Sequence, residues 1–319
     1  MTLENKKYLI TGGAGFIGSH LTNALLKKGA NVIVIDNFDN YYDIKRKRNN
    51  IKPFKKLQNF TFIQGSILNK KKLSQCFDHK LDAVIHLAAQ AGVRNSIKNP
   101  DLYYRTNVIG TLKILEEVKK MANPHIIYAS SSSVYGNSQA VPFLEDNITN
   151  NQISPYASSK KSAELLCQTY SNIFDIKTTV LRFFTVYGPG GRPDMAPYLF
   201  MKAALDNTPI LKFGSGESMR DYTYIDDIVN GIIKSLEQKF DFEIFNLGNN
   251  NPITLNQFIA KIEKVSGKKI KQISKKIPTG DVSITCASID KARKKLDWTP
   301  HTSLESGLNK LYKWMNKYV

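Results

Sequence analysis

The sequence predicts an α/β fold: a doubly wound parallel sheet with a smaller C-terminal lobe. Three observations predict it. Short β-branched runs alternate with stretches of helical period through the first half of the chain, a glycine triplet stands between the first strand and the first helix, and a run of chain breakers follows Tyr187.

The strand-like runs are Tyr8 to Thr11, Val32 to Asp36, Phe60 to Gln64, Ala83 to His86 and Ile126 to Ala129. Residues 16 to 28, 69 to 78, 103 to 121 and 156 to 174 carry the helical period, and Thr178 to Arg182 supplies a sixth strand. A series of βαβ units implies parallel pairing with right-handed crossovers, hence a Rossmann-like sheet. After Tyr187 the chain reads Gly188-Pro189-Gly190-Gly191-Arg192-Pro193, too rich in breakers for a regular element. Residues 241 to 248 look like one more buried strand. The expected division is therefore a dinucleotide-binding domain of residues 1–185 with 222–249 and a substrate-binding lobe of residues 186–221 with 250–319.

The chain has 319 residues, 42% of them hydrophobic, and no apolar run long enough to span a bilayer. Its start passes within a few residues into the strand at Tyr8, leaving no room for a signal peptide, so a cytoplasmic protein is expected. Three widely spaced cysteines, Cys76, Cys167 and Cys286, form no Cys-x-x-Cys pair and no zinc spacing, so they read as reduced and structural, with no metal site. The net charge of +18 is compatible with nucleic acid, a membrane surface or an anionic small molecule as partner. Lysine is scattered rather than striped, and the runs Lys45 to Arg48 and Lys70 to Lys72 lack interleaved aromatics. A solvated lysine-rich surface is the preferred reading, with no nucleic-acid or membrane partner, although an anionic substrate would benefit from the field.

Gly12, Gly15 and Gly18 lie in the segment Thr11-Gly12-Gly13-Ala14-Gly15-Phe16-Ile17-Gly18. Between a strand and a helix this triplet gives a tight turn, close backbone approach to a pyrophosphate and a helix N-terminus aimed at the anion. Phe16 and Ile17 are part of that cofactor-binding turn. Asp36, closing the second strand with Asn37 beside it, is placed to accept hydrogen bonds from both ribose hydroxyls and to repel a 2'-phosphate, so NAD is favoured over NADP.

The wide spacing Gly-x-x-Gly-x-x-Gly resembles the short-chain dehydrogenase superfamily. His86-Leu87-Ala88-Ala89 resembles the family segment beside the cofactor, implicating Leu87, Ala88 and Ala89, and Asn107 resembles the family's structural asparagine. Where such families carry Asp near the adenine, this chain has Gly65-Ser66-Ile67, so Ser66 and Ile67 occupy that cofactor position.

Tyr156 and Lys160 stand one helical turn apart behind Ser154-Pro155, which puts phenol and ammonium on one face. A nearby ammonium is expected to lower the phenol's pKa from about 10 and let it act as a general base. Alone, Tyr-x-x-x-Lys carries little information; downstream of a dinucleotide loop it points to hydride-transfer chemistry. By resemblance to sugar-nucleotide epimerases, counted back from Val134-Tyr135-Gly136, Ser131 is the catalytic hydroxyl. Related 4,6-dehydratases place Asp-Glu where this chain has Ser132-Ser133, and decarboxylating relatives place Glu at the second position. The resemblance therefore implies simple epimerisation.

Leu181 to Pro189, continuing through Arg192-Pro193-Asp194-Met195-Ala196, resembles UDP-glucuronate 4-epimerases. UDP-glucose epimerases typically carry Asn in place of Thr185. A uronate would use Arg192 to neutralise or steer its carboxylate and Thr185, Ser132 and Ser133 to orient it, with Arg94 a weaker partner. Lys212-Phe213-Gly214 and Met219-Arg220-Asp221-Tyr222 resemble segments that hold uracil and diphosphate, Arg220 taking phosphate. Gly280-Asp281-Val282 resembles the turn whose Asp meets the uridine ribose, although Pro278-Thr279 stands where Arg or Gln usually precedes it. The resemblance covers roughly residues 7 to 310. It implies C4 epimerisation of a UDP-sugar, foremost UDP-glucuronate to UDP-galacturonate, with a neutral UDP-glucose or UDP-N-acetylglucosamine as the alternative, and a homodimer formed by helices 103 to 121 and 156 to 174. A silent NAD-binding scaffold and a nucleic-acid binder rank below these enzymes.

Overall fold

The computed structural model describes residues 3–78, 80–278 and 280–319. Strands β1 (Lys7–Thr11), β2 (Asn31–Asp36), β3 (Phe60–Gln64), β4 (Ala83–His86), β5 (His125–Ser131), β6 (Lys177–Phe183) and β10 (Phe242–Leu247) form one seven-stranded sheet in the order β10-β6-β5-β4-β1-β2-β3. Every pairing in it is parallel. Strands β7 (Thr185–Tyr187), β9 (Met219–Tyr224) and β11 (Pro252–Thr254) make a three-stranded sheet, and β8 (Ile210–Phe213) pairs with β12 (Gln272–Lys275).

The helices are α1 (Phe16–Lys27), α2 (Ile44–Ile51), α3 (Lys70–Ser74), α4 (Val93–Lys98), α5 (Pro100–Tyr104), α6 (Gly110–Val118), α7 (Pro155–Phe174), α8 (Ala196–Asp206), α9 (Ile225–Glu237), α10 (Leu255–Ser266), α11 (Asp290–Leu296) and α12 (Leu304–Tyr318). Because successive strand residues point to opposite faces, the sheet divides its apolar side chains between two cores. Ile10, Val34, Ile85 and Ile127 meet α1 and α9 on one side; Leu9, Ile35, Val84 and Ile126 meet α6 and α7 on the other. Burial on both faces explains why β2, β4 and β5 read as continuous apolar runs instead of alternating ones. The first core continues into the C-terminal part through Met201, Phe258, Leu308 and Met315. Thr185 and residues 222–224, assigned from sequence to the dinucleotide-binding part, lie in the small sheet, where Thr185 pairs with Tyr222, Val186 with Thr223 and Tyr187 with Tyr224.

Two expected helices take a different form. The stretch 103–121 is not one α-helix: α5 gives way to a π turn at Arg105–Ile109 before α6 begins. The wider turn coincides with Asn107, whose buried side chain is bonded outward to the chain after β4 and to α7. The stretch 69–78 is α-helical only over Lys70–Ser74, because Cys76 and Phe77 bond back three residues, to Leu73 and Ser74, and tighten the end.

The strand order reverses between β1 and β4, which opens a crevice at the carboxyl ends of the sheet.

Candidate active site

That crevice is a cleft of about 1110 Å³, bounded by the loops that follow β1, β2, β4, β5 and β6 and by residues from α8, β8 and β9. It exceeds the roughly 300–1,000 Å³ of a site for one drug-sized ligand.

At one end the chain turns from β1 into α1. Gly12 has φ +71°, and a Cβ there would stand 2.8 Å from Ala88 Cα; at Gly18 it would lie 2.4 Å from Gly12 O. Only glycine keeps this turn against the β4 loop and the helix start open to a diphosphate, so the cradle fits the expected dinucleotide. Asp36 lies 7% exposed at the end of β2, its two oxygens accepting from Ala14 N at 3.1 Å and Phe38 N at 2.8 Å. Burial pushes its carboxyl up, while Lys47 and those two amides pull it back down. Each oxygen keeps a lone pair for a ribose hydroxyl. Gly15, Phe16, Ile17, Asn37, Ser66, Ile67, Leu87, Ala88 and Ala89 line the same end.

Asn107 does not. Only 1% exposed, it accepts from Gln90 N at 2.8 Å and donates to Gln90 O at 3.0 Å and Ser159 Oγ at 2.9 Å. It fixes the segment that follows the β4 loop against α7 instead of touching the cleft, which corrects its assignment to the cofactor. His86 helps from behind: Thr11 Oγ1 accepts from Ala88 N and donates to His86 Nδ1 at 2.7 Å, leaving Nε2–H to donate to Thr111 Oγ1 at 3.0 Å. Burial lowers His86 to about 3, consistent with this neutral tautomer.

Midway along the cleft lie Ser131, Tyr156 and Lys160. Ser154 caps α7 by accepting from Ala157 N at 3.1 Å, and Pro155 occupies the first turn, which sets Tyr156 at the cleft edge of the helix. Ser131 ends β5, its Oγ accepting from Ser133 N and donating to Ser133 Oγ, both at 3.1 Å. The expected effect of the ammonium on the phenol is not what the structure has. Lys160 Nζ donates to Ala129 O at 2.8 Å and lies 5.1 Å from the Tyr128 ring centre, committed to the strand behind it. Burial pushes the Tyr156 phenol up from 10.0, and the groups that pull it down are the Ser131 hydroxyl and the Arg192 charge. Burial lowers Lys160 itself to about 8 against the opposing pull of Cys167 and Glu164.

Under this site runs a buried network that the sequence did not announce. Arg182 and Glu164, 1% and 2% exposed, form a two-pronged pair at 2.9 Å on each prong. Ser130 Oγ donates to Glu164 at 2.6 Å, and Arg182 Nη1 donates to Tyr135 Oη at 2.9 Å. The network joins α7, the end of β5 and the serine turn.

At the far end Arg94 lies 4.4 Å over Phe213, and Asp281 receives Arg220 Nη2 at 2.5 Å with Arg94 Nη2 at 3.8 Å. Thr185, Ser132, Ser133 and Arg192 also face the cleft. Lys212 does not line it, because in β8 it alternates with Leu211 and Phe213, which do; its Cε lies beside Gly216. Thr279, next to the Gly280-Asp281 turn, falls outside the described residues. Sequence reasoning passed over Tyr41 and Asp194, which hold Arg192 (Nη2 to Tyr41 Oη 3.2 Å, Nε to Asp194 Oδ1 3.0 Å). Asp194 was visible inside the quoted string, whereas nothing local marks Tyr41. Among the described residues no three His, Cys, Asp or Glu side chains gather as metal ligands, and no helix is long and apolar enough to cross a membrane.

Residues 9–311 match the family model described as GDP-mannose 4,6 dehydratase. A UDP-glucuronate 4-epimerase of Thermodesulfobacterium geofontis is 44% identical over 314 residues, 98% of this chain and 97% of that protein. Among solved structures, UDP-glucuronic acid 4-epimerase from Bacillus cereus, in complex with UDP-glucuronic acid and NAD, is 38% identical with a TM-score of 0.92, covering 98% of this chain and 100% of that one. UDP-glucose 4-epimerase of Thermotoga maritima with UDP-glucose is 33% identical with a TM-score of 0.89, covering 98% and 99%. Glycine cradle, Tyr-x-x-x-Lys helix and full-length likeness agree: the chain belongs to the extended short-chain dehydrogenase/reductase family, in the group that the GDP-mannose 4,6 dehydratase model describes.

Proposed function

We propose that this chain is an NAD-dependent isomerase that interconverts UDP-glucuronate and UDP-galacturonate at C4. The observation that carries the reading is a phenol and a serine beside a dinucleotide cradle, flanked by the hydroxyls of Ser132, Ser133 and Thr185, with no carboxylate at 132 or 133, where dehydration or decarboxylation would need one. The likeness to an epimerase of that name and to a structure holding UDP-glucuronic acid and NAD supports it.

Bound NAD+ supplies a hydride acceptor and then a donor, so oxidation and reduction at C4 cancel. Gly12, Gly15, Gly18 and Asp36 would hold it. Tyr156 takes the proton of the 4-hydroxyl, Ser131 fixes that hydroxyl, and Lys160 keeps a positive charge behind the pair. The 4-keto sugar turns about its diphosphate, anchored by Arg220, and Tyr156 returns the proton after the opposite face has been reduced. A keto group β to a carboxylate invites loss of CO2. Thr185, Ser132 and Ser133 orient that carboxylate away from the geometry that favours C–C cleavage.

We also read residues 1–185 with 222–249 as the dinucleotide-binding domain and 186–221 with 250–319 as the sugar-nucleotide lobe. The protein is cytoplasmic and a homodimer in this reading, the exposed Leu102, Tyr104, Ile109 and Leu165 on α5, the π turn and α7 supporting self-association. Product analysis by NMR, with and without added NAD, tests the function: UDP-galacturonate without pentose is expected from UDP-glucuronate. No galacturonate in either case overturns it, and turnover of UDP-glucose alone transfers the assignment to a neutral-hexose epimerase.

A further inference from the structure

Arg192 enters the cleft already half engaged. Its Nε donates to Asp194 Oδ1 at 3.0 Å and its Nη2 to Asp194 Oδ2 at 2.6 Å, a two-pronged pair. The Tyr41 hydroxyl, from the loop after β2, closes a ring by accepting from Nη2 at 3.2 Å and donating to Asp194 Oδ2 at 2.9 Å. Gly92 makes room for it: with φ +102°, a Cβ there would sit 2.7 Å from Tyr41 Oη and 3.3 Å from Arg192 Nη2. Among the described residues Nη1 has no hydrogen-bond partner, although Arg192 lines the cleft and its charge reaches Tyr156.

The arrangement has two electrostatic consequences. The guanidinium is held by one edge, which fixes its plane and leaves the two Nη1 hydrogens for a ligand. Its charge is also balanced by a carboxylate two residues away, so an acidic sugar arriving here meets an oriented dipole and not an isolated cation. An isolated guanidinium in a partly buried cleft would grip a uronate carboxylate with two charge-assisted bonds. A sugar gripped in that way cannot turn over between oxidation and reduction.

We propose that Asp194, supported by Tyr41, is a specificity-determining positioning residue: it orients Arg192 and weakens its hold, so that the cleft accepts an acidic sugar and still lets the keto intermediate rotate. The proposal rests on the uronate reading above. It concerns the ring Tyr41–Asp194–Arg192, which joins the loop beside the dinucleotide to the loop beside the sugar.

The test compares Asp194→Asn, Asp194→Glu and Tyr41→Phe with the unaltered holoenzyme. Calorimetry gives the dissociation constants of UDP-glucuronate and UDP-glucose, and reduced-nicotinamide absorbance during turnover reports stalled intermediate. Asp194→Asn is expected to shift the affinity ratio toward UDP-glucuronate by roughly threefold to tenfold, with kcat for it falling and reduced nicotinamide accumulating. Tyr41→Phe should shift the ratio the same way by less, and Asp194→Glu should restore it. An unchanged ratio, a ratio moved toward UDP-glucose, or equal losses for both sugars would overturn the proposal. If Asp194→Asn does not fold, as judged by its melting temperature, the Tyr41→Phe ratio decides by the same criterion. Failure of the unaltered enzyme to make UDP-galacturonate sinks the functional reading alone, because the affinity ratios need no turnover.

Discussion

Tyr156, the base of the proposed reaction, has surroundings that make its proton harder to remove, since burial raises the phenol and only the Ser131 hydroxyl and the Arg192 charge oppose it. Lys160 is a cation that its surroundings make easier to discharge, at about 8 instead of 10.5. The ammonium is intact below that value and lost above it, so its contribution to kcat/KM should decline as pH rises past about 8, against the gain from Tyr156 ionisation, and Lys160→Met should lack this decline. Stability should move the other way. A folded pKa below the unfolded one means that between about 8 and 10.5 the unfolded chain binds more protons, so this residue's contribution to stability rises with pH across that window. Urea titrations at both ends of the window, beside the activity profile, check the opposite signs. The glycine cradle, Asp36 and Ser131 could be placed at the cleft from sequence because each sits at a strand end, and Tyr156 and Lys160 because they share one face at the start of a helix. Tyr41 was not, because its partner Arg192 is 151 positions away and only folding brings them together.

At the scale of elements, α7 carries Tyr156 and Lys160 on one face and an ion pair on the same face two turns on from Tyr156. Glu164 is 2% exposed and bound by both Arg182 and Ser130, so removing its charge strands a buried guanidinium. Glu164→Gln should lower the unfolding free energy by roughly 3–5 kcal/mol in urea titration. Breaking the exposed Lys120–Glu117 pair should change it by less than about 1 kcal/mol. The sheet strands were legible to within a few residues because burial on both faces leaves uninterrupted apolar runs. The π turn at Arg105–Ile109 was not, since the apolar period runs through it and only the contacts of Asn107 set it apart. The misplaced Lys212 is a matter of strand parity, which a family segment quoted as a block does not convey.

Across the whole molecule, the reversal of strand order between β1 and β4 puts the dinucleotide cradle, the Tyr156 helix and the Arg192 loop around one cleft. Alternation of elements announced a doubly wound sheet, but the order of its strands and the union of both parts through one apolar core depend on crossovers that no local pattern contains. Leu165 is 52% exposed on α7, and replacing it with Glu should convert a dimer to monomer in sedimentation velocity; a chain that is monomeric before the change contradicts the dimer. In the proposed reaction hydride leaves C4 and returns to the same carbon within this one cleft. Conversion of UDP-glucuronate deuterated at C4 tests it directly. The mechanism predicts UDP-galacturonate that keeps its deuterium at C4, and product whose C4 deuterium has been replaced by solvent hydrogen would contradict it.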